Sequence, residues 1–71
     1  MKVKELLNEV HVDTVVEIRI LTKEGYKPLT KGLCEYVRGD YYIPWLRLHF
    51  ITIEDNVLVI NACHVRCKNH Y

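Results

Sequence analysis

The residues best suited to chemistry lie near the end of the chain, in the run Cys63-His64-Val65-Arg66-Cys67-Lys68-Asn69-His70. Cys63, Cys67 and His70 fall at i, i+4 and i+7, a spacing that would line one side of a helix. A fourth ligand from Cys34 or His49 would complete a tetrahedral zinc site. The alternative is an extended tail. On a strand the two sulfurs point the same way but lie ~13 Å apart, which one zinc cannot bridge. Hairpin pairing of the preceding residues extends the strand through Val65, so the extended reading is favoured. Cys63 is then a small core residue and Cys67 a terminal thiol. A metal shared between subunits would escape the distance argument.

A cysteine nucleophile would need a base within hydrogen-bond reach and a third group to orient that base. Cys34 partnered by His49, His64 or His11 is the candidate combination. No local signature surrounds it, and a buried small residue beside Leu33 and Tyr36 explains Cys34 more simply. There is no Gly-rich phosphate loop, no His-Glu-x-x-His helix and no pair of carboxylates placed for acid–base work. The expectation is a protein that is not an enzyme and carries no cofactor. His11, at the end of the first helix, is expected to interact with the carbonyl end of the helix dipole rather than with a ligand.

The stronger functional feature is aromatic. Tyr36, Arg38, Asp40, Tyr41, Tyr42 and Trp45 crowd into ten residues. Tyrosine, tryptophan and arginine are the types enriched at binding hot spots, and each ring pairs a large contact area with a polar handle. Arg38, Asp40, Tyr41, Tyr42 and Trp45 are the candidate partner-binding residues, with Arg38 and Tyr41 as the exposed members. The competing reading makes Tyr36, Tyr42 and Trp45 lids for the protein's own core. Bases of single-stranded nucleic acid could stack on the same rings. That would require flanking cations, and only Arg38 and Arg47 are near in sequence.

Secondary structure must position these groups. Val3, Leu6, Leu7 and Val10 form the apolar stripe of a short amphipathic helix, which must dock onto something to persist. Residues 15–21 alternate Val16, Ile18 and Ile20 against Glu17 and Arg19, a strand with one face buried. Lys23-Glu24-Gly25 is a turn, with Gly25 free to take a positive φ. Residues 26–37 read as a second strand, pushed to an edge by Pro28 and Gly32. Residues 38–45 read as a loop. Its Arg-Gly-Asp triplet carries no adhesion meaning, since so short a string arises often by chance.

Residues 46–54 and 57–65 are the clearest strands, joined by Asp55-Asn56 in a two-residue hairpin turn. That turn pairs Glu54 with Val57, Ile53 with Leu58, Ile51 with Ile60, Leu48 with Cys63 and Leu46 with Val65. The register conflicts with a single dry face. Near the turn Ile51, Ile53, Leu58 and Ile60 share one side, while farther away Leu46, Leu48, Phe50, Cys63 and Val65 share the other. Either a bulge near Phe50–Ile51 switches the faces, or both faces are covered, by the helix on one side and a second subunit on the other. The fold expected is α+β: an N-terminal helix packed on a small antiparallel sheet of about four strands, closing toward a barrel.

Composition bounds the rest. The 71 residues, 49% apolar, allow one domain over residues 1–71. So short a chain buries a small share of its surface, which makes a homo-oligomer an expectation. A formal net charge of +1, with mixed signs and no basic run, argues against nucleic acid as the main partner. Three widely spaced cysteines do not form a disulfide framework, and neither a secretory signal nor a run of ~20 apolar residues is present. A cytoplasmic, non-membrane protein is expected.

The Met-Lys-Val-Lys-Glu-Leu-Leu opening, a first strand after Asp13-Thr14, and the Ile-Glu-Asp-Asn-Val-Leu-Val-Ile hairpin together touch roughly half the chain. In this layout the chain resembles short uncharacterised proteins encoded by phages and prophages of Gram-positive bacteria. The resemblance implies an accessory protein acting in the host cytoplasm through a protein partner, and inhibition of a host defence system. It carries no site residues with it, and the Cys- and His-bearing tail departs from the layout.

Overall fold

The computed structural model describes residues 1–64. Helix α1 (Val3–Leu7) leads into strand β1 (Val15–Thr22) and its neighbour β2 (Gly25–Leu33). A second short helix, α2 (Cys34–Arg38), and a 3-10 turn, Ile43–Trp45, then cross to a second hairpin, β3 (Arg47–Glu54) and β4 (Val57–Cys63). The four strands form one sheet in the order β2-β1-β4-β3.

Both hairpins follow from local turn chemistry. Asp55 and Asn56 take φ of 51° and 65°, the left-handed pair that a two-residue turn matched to strand twist demands. Gly25 takes φ of 104°, and the Thr22 hydroxyl donates to its carbonyl at 2.7 Å, closing the first turn. Pro28 is tolerated because β2 is an edge strand. A register shift between Ile18 and Arg19 lets Thr30 and Pro28 pair with those residues and leaves Leu29 as the extra residue.

Three expectations need correction. The sheet is mixed, because the two hairpins join through a parallel β1–β4 pair, Val16 to Ile20 against Leu58 to Ala62. It is open rather than barrel-like, since β2 and β3 end it on opposite edges. The second strand stops at Leu33, and residues 34–38 are helical instead of extended. Leu33, Glu35 and Val37 alternate as a strand would, yet Cys34 and Val37 also share a helical face. Tertiary bonds decide between them. The N–H groups of Cys34 and Glu35 donate to the carbonyls of Thr14 and Val12 at 2.8 and 3.1 Å, capping the first turn of a helix.

The face conflict in the second hairpin is resolved by a bulge. Pairing runs true from Glu54–Val57 to Ile51–Ile60, then shifts between Leu48 and Phe50. Leu48 therefore opposes Ala62 rather than Cys63, and shares a face with Ile51. The buried Asn61 amide donates to the Phe50 carbonyl at 3.5 Å beside the irregularity. Leu46 precedes β3, and its expected partner Val65 lies outside the described residues.

One face carries Val16, Ile18, Ile60 and Ala62, covered by Val3 and Leu7 of α1, Cys34 and Val37 of α2, and Ile43 and Leu46. Leu6 and Val10 pack at the margin, so the predicted stripe of the first helix is the one that docks. On the other face the Tyr26 hydroxyl is hydrogen-bonded to His49 Nδ1, and the Tyr26 ring meets Phe50 edge-on at 5.5 Å. These side chains come from opposite edge strands, so they span β1 and β4 between them. Arg19 also bridges this face, donating to Glu17 at 2.7 Å and to Glu54 at 3.1 and 3.3 Å. No described helix is long and apolar enough to cross a membrane.

Candidate partner-binding surface

The segment 36–45 is a connection with its apolar residues turned inward. Val37, Ile43 and Pro44 are buried, as is Leu46 directly after it. The aromatic residues between them point out: Tyr41 is 90% exposed, Tyr36 73% and Trp45 48%. The core-lid role therefore falls to Val37, Ile43 and Leu46, not to Tyr36 or Trp45. Tyr42 is also on the surface, its ring 6.1 Å from that of His64.

Asp40 holds the turn in shape. A single carboxylate oxygen accepts the N–H groups of Tyr42 at 2.7 Å and Ile43 at 3.0 Å. Such a side-chain turn fixes the backbone without a regular element. These two backbone donors hold the Asp40 carboxyl below its ordinary pKa of 3.8. Arg38 ends α2 and is partly exposed.

Two depressions flank the segment. A groove of about 290 Å³ lies between β2 and α2, with Lys31, Gly32, Tyr36 and Asp40 on its walls. A smaller apolar cleft of about 130 Å³ is lined by Tyr42, Trp45, Leu46 and His64. The first joins the aromatic segment to the adjoining edge of the sheet.

Two further residues belong to this surface and were not apparent from the sequence. The Lys4 ammonium lies 4.7 Å from the centre of the Trp45 ring and that of Lys2 lies 5.4 Å away, both within cation–π range. They are more than forty positions from Trp45. Only the docking of the N terminus on β3, through the Val3 N–H to Leu46 carbonyl bond at 2.8 Å and the Leu48 N–H to Met1 carbonyl bond at 2.9 Å, brings them there.

The cysteine and histidine candidates are dispersed. Cys34 is fully buried in the core, its thiol aimed at the carbonyls of Leu7 and Val10 at 3.5 and 3.8 Å. Burial pushes its pKa above the ordinary value, and the Arg38 charge only partly offsets this. A raised pKa is the opposite of what activates a thiolate at neutral pH. Cys63 is buried at the end of β4, while Cys67 and His70 lie outside the described residues. Among the described residues no group of three or more His, Cys, Asp or Glu side chains converges on a point. His11 is not at the end of α1. Its Nδ1 accepts the Asp13 N–H at 3.1 Å and shapes the turn into β1.

Comparisons of the chain with known protein families, with curated proteins and with solved structures return no match.

Proposed function

We propose that this is a non-enzymatic binding protein that docks a protein partner through Arg38, Tyr41, Tyr42 and Trp45, together with Tyr36 and the neighbouring β2 groove. The observation that carries this reading is the inversion of the segment. Its aliphatic residues are buried and its rings are exposed, on a turn that Asp40 holds in place. A turn whose backbone is already held by Asp40 presents its rings with less backbone freedom left to lose on binding. Asp40 serves here as the residue that positions the loop.

Lys2 and Lys4 border Trp45, and Lys31 shares a groove with Tyr36, so a complementary surface is apolar at its centre and acidic where it meets these lysines. On the resemblance to phage proteins, a component of host defence is the first partner class to test, with the protein as its inhibitor. A second reading draws on Lys2 and Lys4 beside Trp45, the cations that stacking of single-stranded nucleic acid requires.

A photo-reactive benzoylphenylalanine in place of Tyr41, compared with the same group in place of Leu29 on β2, tests the proposal in cells. A discrete adduct from position 41 that survives nuclease, with none from position 29, is expected. A nuclease-sensitive adduct would transfer the surface to nucleic acid. No adduct from position 41, or the same adducts from both positions, would refute the proposal.

A further inference from the structure

The two edges of the sheet are built differently. The β2 edge carries the devices that discourage strand addition: Pro28, the extra residue Leu29, and Lys27 and Lys31 along its length. The β3 edge has no proline and no lysine, and its one extra residue, His49, lies near the start of the strand. Its first part is covered, because Lys2 bridges to Arg47 and the Leu48 N–H reaches the Met1 carbonyl. Beyond this, Phe50-Ile51-Thr52-Ile53 runs with no lysine, proline or charge until Glu54. Among the described residues no strand pairs with that outer edge.

Hairpin geometry shows which backbone groups this leaves open. Glu54 and Val57 flank a two-residue turn and point their N–H and C=O groups at each other, so those of Ile53 and Ile51 point away from β4. Their side chains are also out, Ile53 at 73% and Ile51 at 46% exposure. The open run is centred on Thr52.

We propose that this edge pairs with the same edge of a second copy of the chain, antiparallel about a two-fold axis at Thr52. This register uses the whole open run and stops before the Met1–Lys2 cover on one side and the Asp55–Asn56 turn on the other. Ile51 exchanges both backbone hydrogen bonds with Ile53 of the second copy, and the reverse, while Thr52 faces Thr52. Four isoleucines then cluster on the face that carries the helices. The charges are compatible. Glu54 falls opposite Phe50 instead of another Glu54, and Arg19 already holds its carboxylate. A net charge of +1 gives the copies little mutual repulsion. The product is one continuous eight-stranded sheet that leaves both aromatic segments open. It is independent of the proposed partner surface and fails or stands separately.

Sedimentation of the full chain is expected to show a species of twice the 8.4 kDa chain mass at high micromolar concentration. Ile53→Lys, at an exposed position, should give a monomer with an unchanged circular dichroism spectrum. A cross-link tests the register without depending on that variant. Thr52 in both copies forms a non-hydrogen-bonded pair with Cα atoms about 4.5 Å apart, within disulfide range. In a Cys67→Ser background, Thr52→Cys should oxidise readily to a covalent dimer and Lys27→Cys should not. A wild-type monomer, a dimer that survives Ile53→Lys, or equal cross-linking from positions 52 and 27 would overturn the proposal.

Discussion

Replacing Arg38 and Tyr41 together by alanine is expected to abolish retention of the partner while leaving the protein folded. Tyr41 is almost wholly exposed and Arg38 partly so, and neither belongs to the buried cluster that closes the sheet. Their truncation removes contact area from the surface alone, where substitutions usually change stability by no more than about 0.5 kcal/mol. Binding responds on another scale. Truncating a hot-spot tyrosine or arginine costs about 2 kcal/mol or more, which is about thirtyfold in affinity. The double variant should thus lose at least that factor in a titration against the purified partner. An unchanged melting temperature would show that the loss belongs to the surface. Retained affinity in a folded variant would remove these residues from the site.

Leu46→Ala is the substitution expected to damage the fold most. Leu46 is almost completely buried at the point where the aromatic segment enters β3. Its carbonyl accepts the Val3 N–H and its own N–H donates to Ile43, so helix α1 and the 3-10 turn both meet there. Alanine keeps the backbone bonds but leaves a cavity under the elements that position Trp45 and its lysines. Leu→Ala in a core costs about 2–5 kcal/mol. At roughly 0.05–0.15 kcal/mol per residue, a chain of this size has few such units to lose. The melting temperature should fall by on the order of 10 °C or more. Leu29→Ala, on the exposed β2 edge, should leave it nearly unchanged.

Much of the local structure was legible because local chemistry determines it. Asp55-Asn56 and Lys23-Glu24-Gly25 each specify a turn, and each turn sets the register beside it. The face conflict in the second hairpin was legible too, with a bulge or coverage of both faces as its two solutions, and the structure has the bulge. It lies at His49, slightly earlier than the Phe50–Ile51 position expected, and this moves Leu48 from Cys63 to Ala62. What could not be read locally was decided by distant partners. Residues 34–38 suit a strand or a helix, and the carbonyls of Val12 and Thr14 select the helix. The parallel β1–β4 contact joins two self-sufficient hairpins, and neither turn encodes it.

The candidate surface was legible to a similar depth. The crowding of aromatic residues marked the segment. Which of them faced out depended on Val37, Ile43 and Leu46 taking the interior. Nothing in the sequence ties Lys2 and Lys4 to Trp45, because only the docking of the N terminus beside β3 brings them together.

Hydrogen–deuterium exchange of the full chain, with and without the partner recovered by cross-linking from position 41, tests the central claim most directly. Amides of residues 36–46 and of the adjoining end of β2 should slow on complex formation, while those around the Lys23–Glu24 turn keep their rates. Protection confined to β3, or to the sheet face that carries Tyr26 and Phe50, with no change at residues 36–46, would contradict it.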